Sequence, residues 1–206
     1  PAIKSGRPET DFNHAISGYE DLVCGFKCIQ DQEQKRLGTS WHRPSEAEWI
    51  AQEAKRILNE KPELSVGVIS FYSGQIQSIF KAMEDSQVGL TVGNKIAENY
   101  RIISSGKNIG DERLRIGTVD AFQGKEFDVV FVSLVRTLPN DFSVEGLDDI
   151  NKDDALTRAY GFLRVDNRLN VALSRQRSLL IVTGDKEFVA HSATQEAVPA
   201  LPAFLK

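Results

Sequence analysis

The chain has 206 residues, 41% hydrophobic and 26% charged, a globular balance that excludes collagen-like, fibrous and disordered chains and predicts one compact core. Twenty-five basic against 29 acidic residues leave a formal charge of −4, so global charge neither supports nor excludes a nucleic-acid partner. The longest apolar runs, Val129 to Val132 and Leu179 to Val182, are strand-sized and predict no membrane helix, while two cysteines are too few for a disulfide scaffold and fit a cytoplasmic, reducing compartment.

Residues 1–44 are irregular and are expected to pack on the domain, with one strand near Gly25 to Ile29. Cys24 and Cys28 could join His14 and His42 in a zinc site, but a C-x-x-x-C spacing without a second pair favours buried thiols. From residue 45 to 206 the pattern is that of one domain. Ser45 and Glu48 have the spacing of a capping box, and Ala47, Ile50, Ala51, Ala54, Ile57 and Leu58 then recur at helical spacing. Val66 to Ile69 reads as a strand covered on both faces, followed by a helix whose stripe is Ile76, Ile79, Phe80 and Met83. Strands are predicted at Arg115 to Val119 and Asp128 to Leu134, with a turn between them. A helix over Asp166 to Arg177 then leads into a strand from Leu179 to Thr183. Residues 86–113 and 137–161 read as insertions; the second carries Glu145, Asp148, Asp149, Asp153 and Asp154, a solvated acidic loop ahead of Arg164, Arg168, Arg175 and Arg177. The apolar tail Val198 to Leu205 is expected to dock on the domain. Buried strands alternating with amphipathic helices predict an α/β domain with a mainly parallel sheet.

Ligands of such sheets collect at the carboxyl ends of the strands, which directs attention to three segments. Val68-Ile69-Ser70-Phe71-Tyr72-Ser73-Gly74-Gln75, Thr118-Val119-Asp120-Ala121-Phe122-Gln123-Gly124-Lys125-Glu126 and Arg168-Leu169-Asn170-Val171-Ala172-Leu173-Ser174-Arg175-Gln176-Arg177 resemble, in this order, motifs IV, V and VI of superfamily 1 helicases. The resemblance is to the up-frameshift-like branch. Ser45-Glu46-Ala47 also resembles the Glu-Ala element that precedes motif IV in that group. It covers roughly residues 40–190 and implies a RecA-like fold, the second of two such domains that together bind ATP with Mg2+ in their cleft and carry single-stranded DNA or RNA across both.

The first domain of that pair would carry the glycine-rich phosphate loop ending in Gly-Lys-Ser/Thr and the acidic pair that organises Mg2+. Neither pattern occurs in this sequence. With the start at Pro1, this makes the chain an expected piece of a longer protein, inactive toward ATP without its partner domain and holding no metal ligands of its own. By resemblance Arg175 is an arginine finger toward the γ-phosphate. If residues 166–177 are one helix, Leu169, Ala172, Leu173 and Gln176 share its packed face, and Arg177 points nearly opposite to Arg175 unless the helix has ended. The alternative is that both arginines only complement a helix C-terminus. Gly124 is implied to admit the nucleotide, though a turn also wants a glycine, and Glu126 to meet the ATP ribose. Asp120 and Gln123 are implied to couple the nucleotide cleft to the nucleic-acid groove. Thr118 and Ser70 could donate to phosphates, and Phe71 could stack on a base or simply be core. Two functions therefore stay open: the second motor domain of an ATP-dependent helicase or translocase, and a non-catalytic nucleic-acid-binding or interaction module derived from one.

Overall fold

Strands whose side chains are apolar on both faces need a layer of helices above and below, and the chain folds to supply both. A computed structural model describes residues 13–30, 34–139 and 141–205; Pro1 lies outside them. Five strands form the central sheet: β1 (Cys24–Cys28), β4 (Val66–Ser70), β7 (Leu114–Thr118), β8 (Phe127–Ser133) and β9 (Gln176–Gly184). Their order is β1-β9-β8-β4-β7 and every pairing is parallel. All residues of β4 and β8 are buried, as both-sided cover requires.

The period-two alternation of the strands sorts the core into two halves. Val66, Val68, Val129, Phe131, Leu179 and Ile181 face α1 (Pro44–Glu60) and α2 (Ser73–Glu84), where Ile50, Ala54, Ile57, Leu58, Ile79 and Met83 meet them. Val130, Val132, Leu180 and Val182 face the other way, onto α3 (Asp149–Tyr160), α5 (Lys186–Ala190) and α6 (Ser192–Ala197). The tail closes this second half, with Val198 and Leu201 buried.

Four expectations are corrected. Within the described part of residues 1–44, the strand expected near Gly25 to Ile29 is β1, paired with β9 in the main sheet, and the stretch otherwise read as irregular adds a hairpin of β2 (Lys35–Leu37) and β3 (Ser40–His42) before α1. Cys24 is exposed on that edge strand and Cys28 half-buried, so neither is a core thiol; among the described residues no cluster of three metal-ligating side chains exists. α1 starts at Pro44, whose fixed φ and missing N–H suit a first turn, so Ser45 lies inside the helix and its hydroxyl caps nothing. The second insertion contains α3, capped by Asp148 through Ile150 N and Asn151 N and anchored by Leu156, Ala159 and Tyr160. The first insertion carries a short hairpin, β5 (Thr91–Val92) with β6 (Lys95–Ile96). No described helix is long and apolar enough to cross a membrane.

Candidate functional site

The three motifs occupy both ends of the sheet. Motif VI begins as helix α4 (Asp166–Ala172), with Leu169 and Ala172 packed in the core. It ends five residues short of the predicted limit, because Gln176 is already paired with Phe127 at the start of β9. A residue committed to a strand cannot continue a helix, so Gln176 leaves the helix face; its Oε1 is buried without a hydrogen-bond partner. Arg175 therefore sits in the turn ahead of the strand, and its carbonyl accepts from Phe127 N at 3.0 Å. The condition under which Arg175 and Arg177 can serve one cleft is met.

That cleft, of about 520 Å³, is lined by Asp111, Glu112, Gly124, Lys125, Glu126, Phe127, Arg175 and Arg177. It lies at the amino ends of β8 and β9, not at the carboxyl ends where sequence reasoning looked first. Arg175 is half-buried; its Nε donates to Val171 O at 3.0 Å and one terminal nitrogen to Ser174 Oγ at 2.9 Å. Arg177 donates to Glu126 O at 2.9 Å and stands 3.5 Å from the Asp128 carboxylate, tying motif VI to the backbone of motif V. Asp128 in turn clips β8 to the start of β4, accepting from Ser65 N at 2.8 Å and Ser65 Oγ at 2.7 Å. Gly124 has φ +71, a conformation that costs an L side chain energy, and no atom lies within 4 Å of where its Cβ would be. The glycine is there for the turn, and the space above it is open. A larger cleft of about 690 Å³, between α1 and α2, contains no residue of motifs IV, V or VI.

Motif V connects the two ends. Thr118 closes β7 at the carboxyl edge, level with Ser70 of β4, and Phe127 opens β8 two residues below Val129, which is level with Val66. The intervening segment must return about 20 Å along the sheet and cross β4, about 10 Å sideways. Half of it, Val119–Phe122, is a 3₁₀ turn that rises only about 2 Å per residue, and Lys125 N closes a second turn on Phe122 O at 3.1 Å. The segment lies flat on the sheet because two strand positions lack side chains. A Cβ on Gly67 would be 2.8 Å from Phe122 and 3.1 Å from Phe127, and one on Gly117 would be 2.8 Å from the Ala121 Cβ. Asp120, exposed on this strap, forms an ion pair with Arg168 of α4. Gln123 and Glu126 are also exposed, and Thr118 is half-buried.

At the carboxyl edge the expectation for Ser70 changes, and of the two readings of Phe71 the core one holds. Ser70 is fully buried, donates to Ser133 O at 3.2 Å and accepts from Tyr72 N at 3.4 Å, so its hydroxyl is spent inside the fold. Phe71 is 4% exposed and belongs to the core cluster, leaving no face for a base. Beneath them is a polar network that sequence reasoning missed. Glu46 and Arg43, both 0% exposed, form an ion pair at 3.1 Å. Glu46 Oε2 also accepts from Ser133 Oγ at 2.6 Å, Thr183 Oγ1 at 3.2 Å and Val135 N at 3.3 Å. Arg43 donates to Ile29 O at 2.8 Å, and Gln75 bridges Arg43 and Ser133. Burial pushes the Glu46 carboxyl above its ordinary range, and Arg43 with the hydroxyl and amide donors pulls it back only in part. The network fastens α1 to the ends of β8 and β9 and steadies Val135, whose φ of +69 is rare for a β-branched residue. The sequence signals were Glu46 in the Glu-Ala element and Gln75 at the end of motif IV, neither of which reads as part of a buried network.

A family model described as an AAA domain matches residues 5–187, nearly the whole chain and all three motifs. The chain belongs to that family, and within it to the up-frameshift-like branch of superfamily 1 helicases, as the RecA-like second domain. DNA polymerase alpha-associated DNA helicase A of Saccharomyces cerevisiae is 34% identical over 126 residues, 61% of this chain and 13% of that protein. Helicase sen1 of Schizosaccharomyces pombe is 28% identical over 163 residues, covering 77% and 8%. Regulator of nonsense transcripts 1 of Dictyostelium discoideum is 29% identical over 176 residues, covering 83% and 10%. The helicase domain described here thus spans a small part of each relative.

Proposed function

We propose that this chain is the second motor domain of an ATP-dependent nucleic-acid helicase or translocase, completing an ATP site whose phosphate loop and Mg2+ ligands stand on a first RecA-like domain. The observation that carries the reading is the convergence of Arg175, Arg177, Gly124 and Glu126 on one open cleft at the amino ends of β8 and β9. Two guanidinium groups beside an uncovered main-chain turn fit a polyphosphate, since arginine forks match phosphate oxygens. ATP bound between the domains would supply the γ-phosphoryl group, transferred to water with ADP as the leaving group.

The hydrogen bonds support a role for each of these residues. Among the described residues, the Arg175 guanidinium donates to Val171 O and Ser174 Oγ, both within four residues of itself. Exchanging them for a γ-phosphate oxygen needs side-chain rotation and no refolding, and a guanidinium there stabilises charge developing in the transition state. Arg177 braces the cleft by holding Glu126 O, which keeps the Glu126 carboxylate at the rim where a ribose hydroxyl can donate to it. At the other edge Thr118 offers a hydroxyl to a backbone phosphate of a single strand, and such contacts position without reading sequence. The strap from Thr118 to Glu126 couples one edge to the other, with Asp120 and Gln123 along its length and the Asp120–Arg168 pair linking it to motif VI.

The test is ATP hydrolysis by the full-length protein, with and without single-stranded nucleic acid, for wild type and Arg175→Ala. The expected result is stimulated hydrolysis that falls about 10³-fold or more in the variant. Hydrolysis that ignores the substitution removes Arg175 from the mechanism, and none in folded wild type makes the domain a binding module.

A further inference from the structure

The loop between α3 and α4 is built to hold one aromatic ring at the surface. Arg136, 4% exposed, donates to Ala159 O at 2.8 Å and to Arg158 O, closing the last carbonyls of α3. Tyr160 is fully buried and its hydroxyl bonds Thr194 Oγ1 at 2.8 Å. Gly161 then turns the chain with φ +52, at a point where a Cβ would stand 3.2 Å from the Tyr72 hydroxyl. Leu163 returns to the core at 0% exposure, but Phe162 between them is 50% exposed. Its ring rests 5.8 Å from that of Tyr72, centroid to centroid, and the Arg168 guanidinium lies 5.4 Å from its centre.

We propose that Phe162 is a stacking platform for a base of single-stranded nucleic acid. The inference rests on the motor-domain reading above and adds a base contact to it. Three observations favour a base. The ring stands at the groove end of the domain, since Arg168 beside it pairs with Asp120, two residues beyond Thr118. Tyr72 and Arg168 are neighbours that steady the ring, and half of the residue's surface is still exposed to a planar partner. The exposed large apolar side chains of the loop are Phe162 and Val165, the latter 45% exposed, whereas protein docking sites are marked by broad apolar patches and one aromatic face suffices for a base and serves any base equally.

Binding of a fluorescein-labelled single strand by the full-length protein, compared with the same strand carrying a run of abasic sites, in DNA and RNA form, tests the proposal. Phe162→Ala weakens binding to the intact strand by about 5- to 150-fold, the usual range for losing one stacked base. It leaves binding to the abasic strand unchanged, and Phe162→Trp retains the wild-type affinity for both. Thermal melting of each variant confirms folding. Equal losses on both strands overturn the proposal in favour of a contact with the first RecA-like domain. No loss on either overturns it while leaving the motor reading intact. Wild type that binds no single strand overturns both.

Discussion

Gly67→Ala tests whether motif V lies on the sheet as a strap. Gly67 stands in the middle of β4 with an ordinary strand conformation, so an alanine there meets no backbone strain and would, in open space, stabilise by about 0.4–1 kcal/mol through the unfolded chain. The space is not open. The new methyl would meet Phe122 Cε1 at 2.8 Å and Phe127 ring carbons at 3.1 and 3.2 Å. Neither ring can step aside cheaply, because Phe122 and Phe127 are 0% and 2% exposed and pack edge to face with centroids 5.5 Å apart. Overpacking of this kind costs about 1–3 kcal/mol, which exceeds the gain, leaving a net loss of up to about 2.5 kcal/mol. For a domain of this size that lowers the melting temperature by up to about 10 °C, at about 2–4 °C per kcal/mol. Thermal and urea unfolding of the variant measure the loss. Trimming the obstructing ring in Gly67→Ala with Phe122→Leu should recover part of it, a coupling that independent sites would not show. A Gly67→Ala protein more stable than wild type would refute the flat strap and the coupling built on it.

Other outcomes follow from the same geometry. Arg43→Met leaves Glu46 buried without its cation and Ile29 O without its donor, at a cost of about 3–5 kcal/mol at neutral pH by chemical denaturation. The Glu46 carboxyl, already raised by burial, rises further without Arg43. A folded-state pKa above the unfolded one contributes stability at low pH that is lost as pH rises through the folded value. The variant's deficit should therefore shrink as pH falls toward the unfolded value, and one that grows on acidification would contradict the assignment. Thr118→Ala should weaken single-strand binding equally for all base sequences, measured by fluorescence anisotropy, and a sequence-dependent loss would exclude a phosphate contact.

The sequence by itself determined the layer architecture, because strand and helix periodicities are local: the apolar stripe of α1, the all-buried runs of β4 and β8, and the docking tail are all present in the residue pattern. It also carried the three motifs in order, which is enough to find the family. What it could not carry was the division of those motifs between opposite ends of one sheet. That depends on the parallel pairing of β7, β4 and β8, which makes motif V cross the sheet, and on the pairing of Gln176 with Phe127, which ends α4 and frees Arg175 and Arg177 to face one cleft. The fate of polar groups was equally invisible. Ser70 beside Phe71 reads the same whether its hydroxyl faces a phosphate or a carbonyl of β8, and the Glu-Ala element marks Glu46 without saying that Ser133, Thr183 and Arg43 converge on it. Burial and hydrogen-bond partnership are set by residues tens of positions away, so only the folded chain decides which side chains are spent inside and which, like Phe162, are left at the surface.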